Sequence, residues 1–322
     1  MEAKVAEKKK GKFNTYSNYS TFALCPRKWQ LGRKYEPKIT AAALAEGDLF
    51  HLAVGKMYAQ NDPLAGTAVF EFTRDQYLNR LALAKAPQDT VDKWQMKFAA
   101  LEAMIYAYAT QIFVHDSKRF TVLHTEKKFK VKIGPGLTLV GAVDGIWQDR
   151  QSGVRFIVEH KYKTGHEEEL MALDLQVSLY TLALLEEFGP LPTLYNVALK
   201  PGNRQGKSES PADFIARLKT VIADEMAAFR WTPGDFREKR FLRQTYSRGR
   251  AELTAALHQV RAQDKVMRGI QKDPEKVWRN VGDHCLYFCP FKSICIEEDP
   301  LVIDRFFDKK DAGVPAAVKP VV

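Results

Sequence analysis

The chain has 322 residues, 45% hydrophobic and 27% charged, with a formal net charge of +10. That composition describes an ordinary soluble globular protein with apolar content for one large domain or two modest ones. Its longest apolar runs, such as Tyr180 to Leu185, are too short to span a bilayer, and no membrane partner is expected.

Residues 1–15 read as a basic, disordered tail. Met1 to Lys12 is polar and Lys-rich with no apolar stretch after it, unlike a secretory signal, so a cytoplasmic location is expected. Residues 1–40 carry ten Lys or Arg against three Glu, and residues 200–250 carry twelve against six acids. A clustered positive excess suits a polyanion, most commonly nucleic acid, and also fits a solubilising tail with solvated helix faces.

Residues 16–34 predict a serine-capped helix ending near Cys25 and a second helix through Trp29. Residues 40–59 form an Ala-rich helix carrying His51. Residues 60–92 are polar with short helical pieces, punctuated by Pro63 and Pro87. Trp94, Phe98, Leu101, Ile105, Tyr108 and Ile112 have the spacing of one long helix over 92–115. The period then changes to two. Residues 120–133, 137–147 and 154–161 predict a three-strand meander, with a turn at Gly134-Pro135-Gly136. Helical spacing returns over 168–188, and 193–200 reads as a strand. Strand, helix, strand implies a crossover and a parallel pairing. Residues 211–231 and 248–270 look helical, 278–298 are Cys-rich, and 301–322 read as a tail. There is no internal repeat.

Alternation on the strand 154–161 puts Glu159 and Lys161 on one face and His160 on the other. Asp144 stands 15 positions before Glu159 on the preceding strand, so a hairpin return sets the two carboxylates side by side. Two such groups repel unless a cation lies between them. Mg²⁺ or Mn²⁺ suits paired oxygens and substrate phosphates, and a neighbouring Lys suits a phosphate oxygen or an attacking water. The same residues also fit a surface hairpin with a Glu–Lys pair. Apolar neighbours Val143, Ile146, Ile157 and Val158 make the strands central, where charge is expensive without a purpose.

Gly141-Ala142-Val143-Asp144, Glu159-His160-Lys161 and Gln176-x-x-x-Tyr180 together resemble the PD-(D/E)XK nuclease superfamily, in particular its RecB-like branch. The resemblance implies an α/β, restriction-endonuclease-like core: a central mixed sheet flanked by helices, with helical additions at 60–120 and 205–275, in one domain over 16–300. It implies that Asp144 and Glu159 bind metal, that Lys161 assists attack on a phosphodiester, and that Gln176 and Tyr180 support the site. Gly47-x-x-x-His51 matches an upstream motif whose His is a metal ligand. Glu126, at the start of its strand, either lies near the metal or is a solvated strand end. His160 points away.

Cys25, Cys285, Cys289 and Cys295 read as metal ligands rather than disulfides in this setting. Zinc sites usually have paired C-x2-C knuckles, and none is present. The unequal spacing, with Pro after Cys25 and Cys289, suits an iron–sulfur cluster better, with zinc as the alternative. One Cys before the nuclease motifs and three after them resemble the iron–sulfur staple of AddB-type and CRISPR-associated nucleases. That implies a [4Fe-4S] cluster joining Cys25 to residues 284–296. Arg237, Lys239, Arg240, Arg243, Arg248 and Arg250, interleaved with Phe236, Phe241 and Tyr246, suit a single-strand path or a solvated helix face.

These features predict a Mg²⁺- or Mn²⁺-dependent DNA exonuclease acting on single strands or ends. The alternative is a non-catalytic or partner-dependent nucleic-acid-binding subunit of a recombination or CRISPR complex. No G-x4-G-K-[ST] match is present, which argues against a helicase.

Overall fold

The computed structural model describes residues 12–38, 42–83, 85–165, 171–287, 289–297 and 299–310. The expected tail over 1–15 lies largely outside them, as do residues 311–322. Two compact units are formed. One comprises the described residues of Met1–Thr40, Lys128–Gly141 and Gly249–Val322, the other Ala41–Lys127 and Ala142–Arg248.

The larger unit holds the central mixed sheet. Strands β3 (Phe120–Gly134) and β4 (Leu137–Asp149) pair with each other, and both run on into the smaller unit. β4 is antiparallel to β5 (Arg155–Lys163), from Gly145↔Val158 to Gln148↔Arg155. β5 is parallel to β6 (Thr193–Leu199), with Glu159 beside Tyr195 and Lys161 beside Val197. The connection needed for that pairing includes helix α7 (Leu175–Phe188), and helix α8 (Pro211–Ala227) follows β6. The expected meander and crossover are therefore both present.

The periods seen in the sequence decide which face each residue takes. On β5, Val158 and Tyr162 enter a core with Phe50, Tyr58, Phe98, Tyr108 and Trp147. This core is supplied by helices α3 (Ala42–Gln60), α4 (Pro63–Leu83) and α5 (Gln88–Tyr108). Burying each large apolar side chain contributes about 1.5–3 kcal/mol. On the other face, Tyr195, Val197 and Leu242 pack with Met171 and Val177. Glu159 and Lys161 belong to this second face.

Several elements differ from expectation. Thr15, not a serine, caps the first helix, α1 (Tyr16–Leu24), accepting from the Asn18 N–H at 3.2 Å. Residues 63–83 form one long helix, with Pro63 at its first position, where the missing N–H costs nothing. The run over 92–115 starts at Gln88 and passes through a π turn at Ala109–Phe113 into α6 (Val114–Arg119). Within 205–275, expected to be helical, β7 (Phe236–Arg237) and β8 (Phe241–Tyr246) add two antiparallel strands beyond β6. Phe241 and Leu242 point to opposite faces of a sheet covered on both sides, so the segment lacks the usual polar alternation.

In the smaller unit, β1 (Lys12–Asn14) runs parallel to Leu137–Leu139. Helix α2 (Pro26–Lys34) leads into β2 (Tyr35–Pro37), which pairs antiparallel with β9 (Phe307–Lys309). The start of the expected C-terminal tail is therefore ordered, because Ile303 and Phe307 are buried with Leu31, Phe291 and Ile294.

Candidate active site

Asp144 sits on β4 one step beyond the last paired position, Gly145↔Val158. Its side chain takes over from the ladder there: Oδ2 accepts the His160 N–H at 2.7 Å. Gly145 next to it is required by space, since a Cβ would come within 2.8 Å of the Trp147 ring nitrogen. From α3, His51 Nδ1 lies 3.1 Å from Asp144 Oδ2. Burial alone would raise the Asp144 carboxyl, but the charge and hydrogen bond of His51, with help from His160, hold it well below the usual range. His51 shifts in the matching direction: burial would lower it, and Asp144 raises it above its ordinary value.

Glu159 is the buried member of the pair, its side chain 4% exposed against 26% for Asp144. Its Oε1 accepts from Lys161 Nζ at 2.6 Å and from Gln176 Nε2 at 2.8 Å. Its Oε2 is buried and has no hydrogen-bond partner among the described residues. Burial first, and the charge of Asp144 second, push its carboxyl up to about 7. One carboxylate is thus held firmly ionised and its neighbour is destabilised when charged.

The helix after β5 sets the remaining partners. Asp174 caps it, accepting the Gln176 N–H at 2.8 Å, and also accepts from Tyr195 OH at 2.9 Å. Gln176 then bridges three groups. Its Oε1 accepts from Lys161 Nζ at 2.7 Å, and its Nε2 donates to Glu159 and to Tyr180 OH, the latter at 2.9 Å. Burial would lower the Lys161 ammonium, but Glu159, helped by Asp144 and Asp174, raises it above its ordinary value. His51, Asp144, Glu159, Lys161, Gln176 and Tyr180 are therefore joined through these contacts and the β4–β5 pairing. Glu126 is not part of the group. It is exposed on β3 with φ 48, in the left-handed region.

His160 points the other way, as alternation requires. Its ring stacks on Tyr58 at 5.8 Å, and burial pushes it down to about 4, so it stays neutral. Beneath it lies a polar network without a signal in local sequence. Tyr108 OH is 3.5 Å from His160 Nδ1 and 3.0 Å from Tyr58 OH, which donates to Asp116 at 2.8 Å. Arg243 makes a two-pronged contact to Asp116 at 2.9 and 2.6 Å, and both side chains are fully buried. Three of the residues that suited a single-strand path or a solvated helix face over 236–250 are instead buried in the fold. Arg243 is committed to Asp116, Arg240 is buried against Glu225, and Phe241 is in the core.

Cys25 is buried, while Cys285, Cys289 and Cys295 are partly exposed, and all four are free thiols. The segment around Cys25 is tied to the one just before Cys285: Asn280 Nδ2 donates to the Leu24 carbonyl at 3.0 Å and the Arg27 N–H to the Trp278 carbonyl at 3.1 Å. Burial raises the Cys289 thiol, and Cys285 and Cys295 add to the rise. Among the described residues, no three His, Cys, Asp or Glu side chains gather in metal-holding geometry. The donor types still fit a metal in both places: four free thiols here, and a buried carboxylate oxygen without a partner at Glu159.

The family profile described as the PD-(D/E)XK nuclease superfamily matches residues 14–296. No curated protein matches the chain.

Proposed function

Since the chain belongs to the PD-(D/E)XK nuclease superfamily, whose members hydrolyse phosphodiester bonds and typically use Mg²⁺ or Mn²⁺, we propose that it cleaves DNA with Asp144, Glu159 and His51 as metal ligands and Lys161 as the group that meets the phosphate. The observation that carries this reading is Glu159 Oε2, buried and without a hydrogen-bond partner among the described residues, next to the firmly ionised Asp144. When bound there, a divalent ion would supply an activated water and offset phosphate charge.

The chain's own residues account for the rest. Two of the three Lys161 donors are taken, by Glu159 and Gln176. The third is left for a phosphate oxygen or the attacking water. Gln176 fixes the direction of that ammonium, and Asp174 fixes Gln176. Tyr180, hydrogen-bonded to Gln176, supports it from one helical turn away. His51 keeps Asp144 ionised, and the Asp144–His160 hydrogen bond anchors the carboxylate to β5.

The finer reading is an exonuclease of the RecB-like branch, acting on single strands or ends, with a [4Fe-4S] cluster on Cys25, Cys285, Cys289 and Cys295. The tied Leu24–Arg27 and Trp278–Asn280 segments support the cluster. The deciding experiment uses the purified full chain with Mn²⁺ and end-labelled single- and double-stranded DNA and RNA. DNA should be shortened from an end, and Asp144→Ala should lower the rate by roughly 10³-fold or more, the loss of several kcal/mol of charge stabilisation. Undiminished cleavage by that variant removes the site assignment. For the cluster, protein prepared without oxygen should be brown, absorb near ~400 nm and lose its iron in Cys25→Ser. A colourless, zinc-loaded protein overturns that part.

A further inference from the structure

A second basic site stands in the unit that carries none of the proposed catalytic residues. Helix α9 (Arg250–Lys272) places Arg261, Lys265, Arg268 and Lys272 at spacings of four, three and four, which puts all four on one stripe. The helix buries a neighbouring stripe, Ala256, Val260, Asp264 and Met267. The basic stripe is therefore the border of a docked face, not a fully solvated one.

Opposite it is the tip of the β3–β4 hairpin. Arg261 fastens the two together, donating from Nε and Nη2 to the Ile133 carbonyl at 2.9 and 2.7 Å. Gly134 permits that approach, since a Cβ would come within 3.3 Å of Arg261 Nε. The two elements flank an open recess of about 450 Å³. Its lining has four cations and one acid, Asp264, for a net charge of 4 − 1 = +3. Asp264 is already taken, by Arg268 at 2.5 Å and by Asn14 at 3.0 Å. Arg268 Nε is buried without a hydrogen-bond partner among the described residues. The same unit carries further positive charge: Lys128, Lys130 and Lys132 are exposed at alternate positions of β3 and share one face.

We infer that the β3–β4 hairpin tip and α9 form an anchoring site for the phosphate backbone of a nucleic-acid strand. From Arg261 to Lys272 the stripe runs 11 residues, or about 16 Å at ~1.5 Å per residue. A single small anion needs no such span, and a repeating polyanion does. Among the described residues no aromatic side chain lines the recess, so it offers no platform for stacking bases and reads phosphates without regard to sequence. The choice of nucleic acid among polyanions rests on the nuclease reading above. The anchor itself rests on the charge and the geometry.

The test is equilibrium binding of a fluorescent single-stranded oligonucleotide of ~30 nucleotides to the full chain in EDTA, where nothing is cleaved, across a salt series. Lys265→Glu/Lys272→Glu should weaken binding at least tenfold at ~0.1 M salt. Lys265→Gln/Lys272→Gln, which removes charge without reversing it, should lower the slope of log K against log salt by about 1.4, or ~0.7 per lost phosphate contact. Both variants should keep the thermal stability of the wild type, and both should cleave a short oligonucleotide at saturating concentration as it does. Unchanged affinity and slope in both variants overturn the anchor. Displacement of the bound strand by poly-glutamate as readily as by unlabelled DNA overturns the choice of nucleic acid, and full displacement by millimolar phosphate reduces the site to one for a small anion. Because binding is read without metal, loss of the anchor leaves the cleavage assignment standing, and the reverse also holds.

Discussion

Glu159→Gln should make the metal-free protein more stable at alkaline pH while abolishing its activity. Burial and the charge of Asp144 move the Glu159 carboxyl from its ordinary value of 4.5 to about 7. A carboxyl held more tightly to its proton in the folded state costs nothing below pH ~4.5. It destabilises the fold progressively as pH rises, up to a plateau above pH ~7. At about 1.36 kcal/mol per tenfold change in proton affinity, the plateau is roughly 3 kcal/mol. The side chain is 4% exposed, so solvent screening removes little of this. The glutamine has no charge to bury and keeps an acceptor for Lys161. The assay is urea unfolding of both proteins with EDTA at pH 5 and at pH 8.5. The stability difference, variant minus wild type, should grow by about 2–3 kcal/mol between the two conditions. Millimolar Mn²⁺ at pH 8.5 should then stabilise the wild type and leave the variant unmoved, because only a ligand that binds the folded state adds stability. A stability difference independent of pH, or equal stabilisation of both by Mn²⁺, refutes the reasoning.

The same shift sets the pH profile of metal binding. Mn²⁺ must displace the Glu159 proton, so its affinity should fall as pH drops below about 7, measured by titration calorimetry at several pH values. Gln176→Ala frees Lys161 from one of its two holders and should cost about 10²-fold in kcat, with KM for DNA little changed in steady-state assays. Arg243→Met strands the fully buried Asp116 carboxylate and should cost about 3–5 kcal/mol in urea unfolding, with Asp116→Asn/Arg243→Met recovering part of the loss.

Much of the candidate site was legible because its spacing is local. Glu159 and Lys161 are two apart on a strand, and Gln176 and Tyr180 are four apart on a helix, so period alone gives their faces. Asp144 followed from the hairpin return to Glu159, whereas His51 needed the resemblance, since nothing local joins it to Asp144, 93 positions away. What stayed hidden is non-local and buried. Arg243 reads as a surface cation, and its partner Asp116 is 127 residues away. β8 is buried on both faces, so its pattern does not alternate. Residues 63–83 look like short pieces because that helix buries little, with Gly66 and Phe70 as its buried positions. The anchor stripe on α9 lay in a segment read only as a helix. Its meaning appears once the hairpin tip is seen fastened to it by Arg261.

The central claim is that Asp144 and Glu159 share a divalent ion, with Glu159 Oε2 as the waiting ligand. Anomalous diffraction from crystals grown with Mn²⁺ and a short oligonucleotide locates that ion directly. The account predicts a Mn²⁺ peak within about 2.0–2.3 Å of a carboxylate oxygen of each residue, with Lys161 beside the phosphate. A Mn²⁺ peak bound elsewhere, with Glu159 still held only by Lys161 and Gln176, would contradict it.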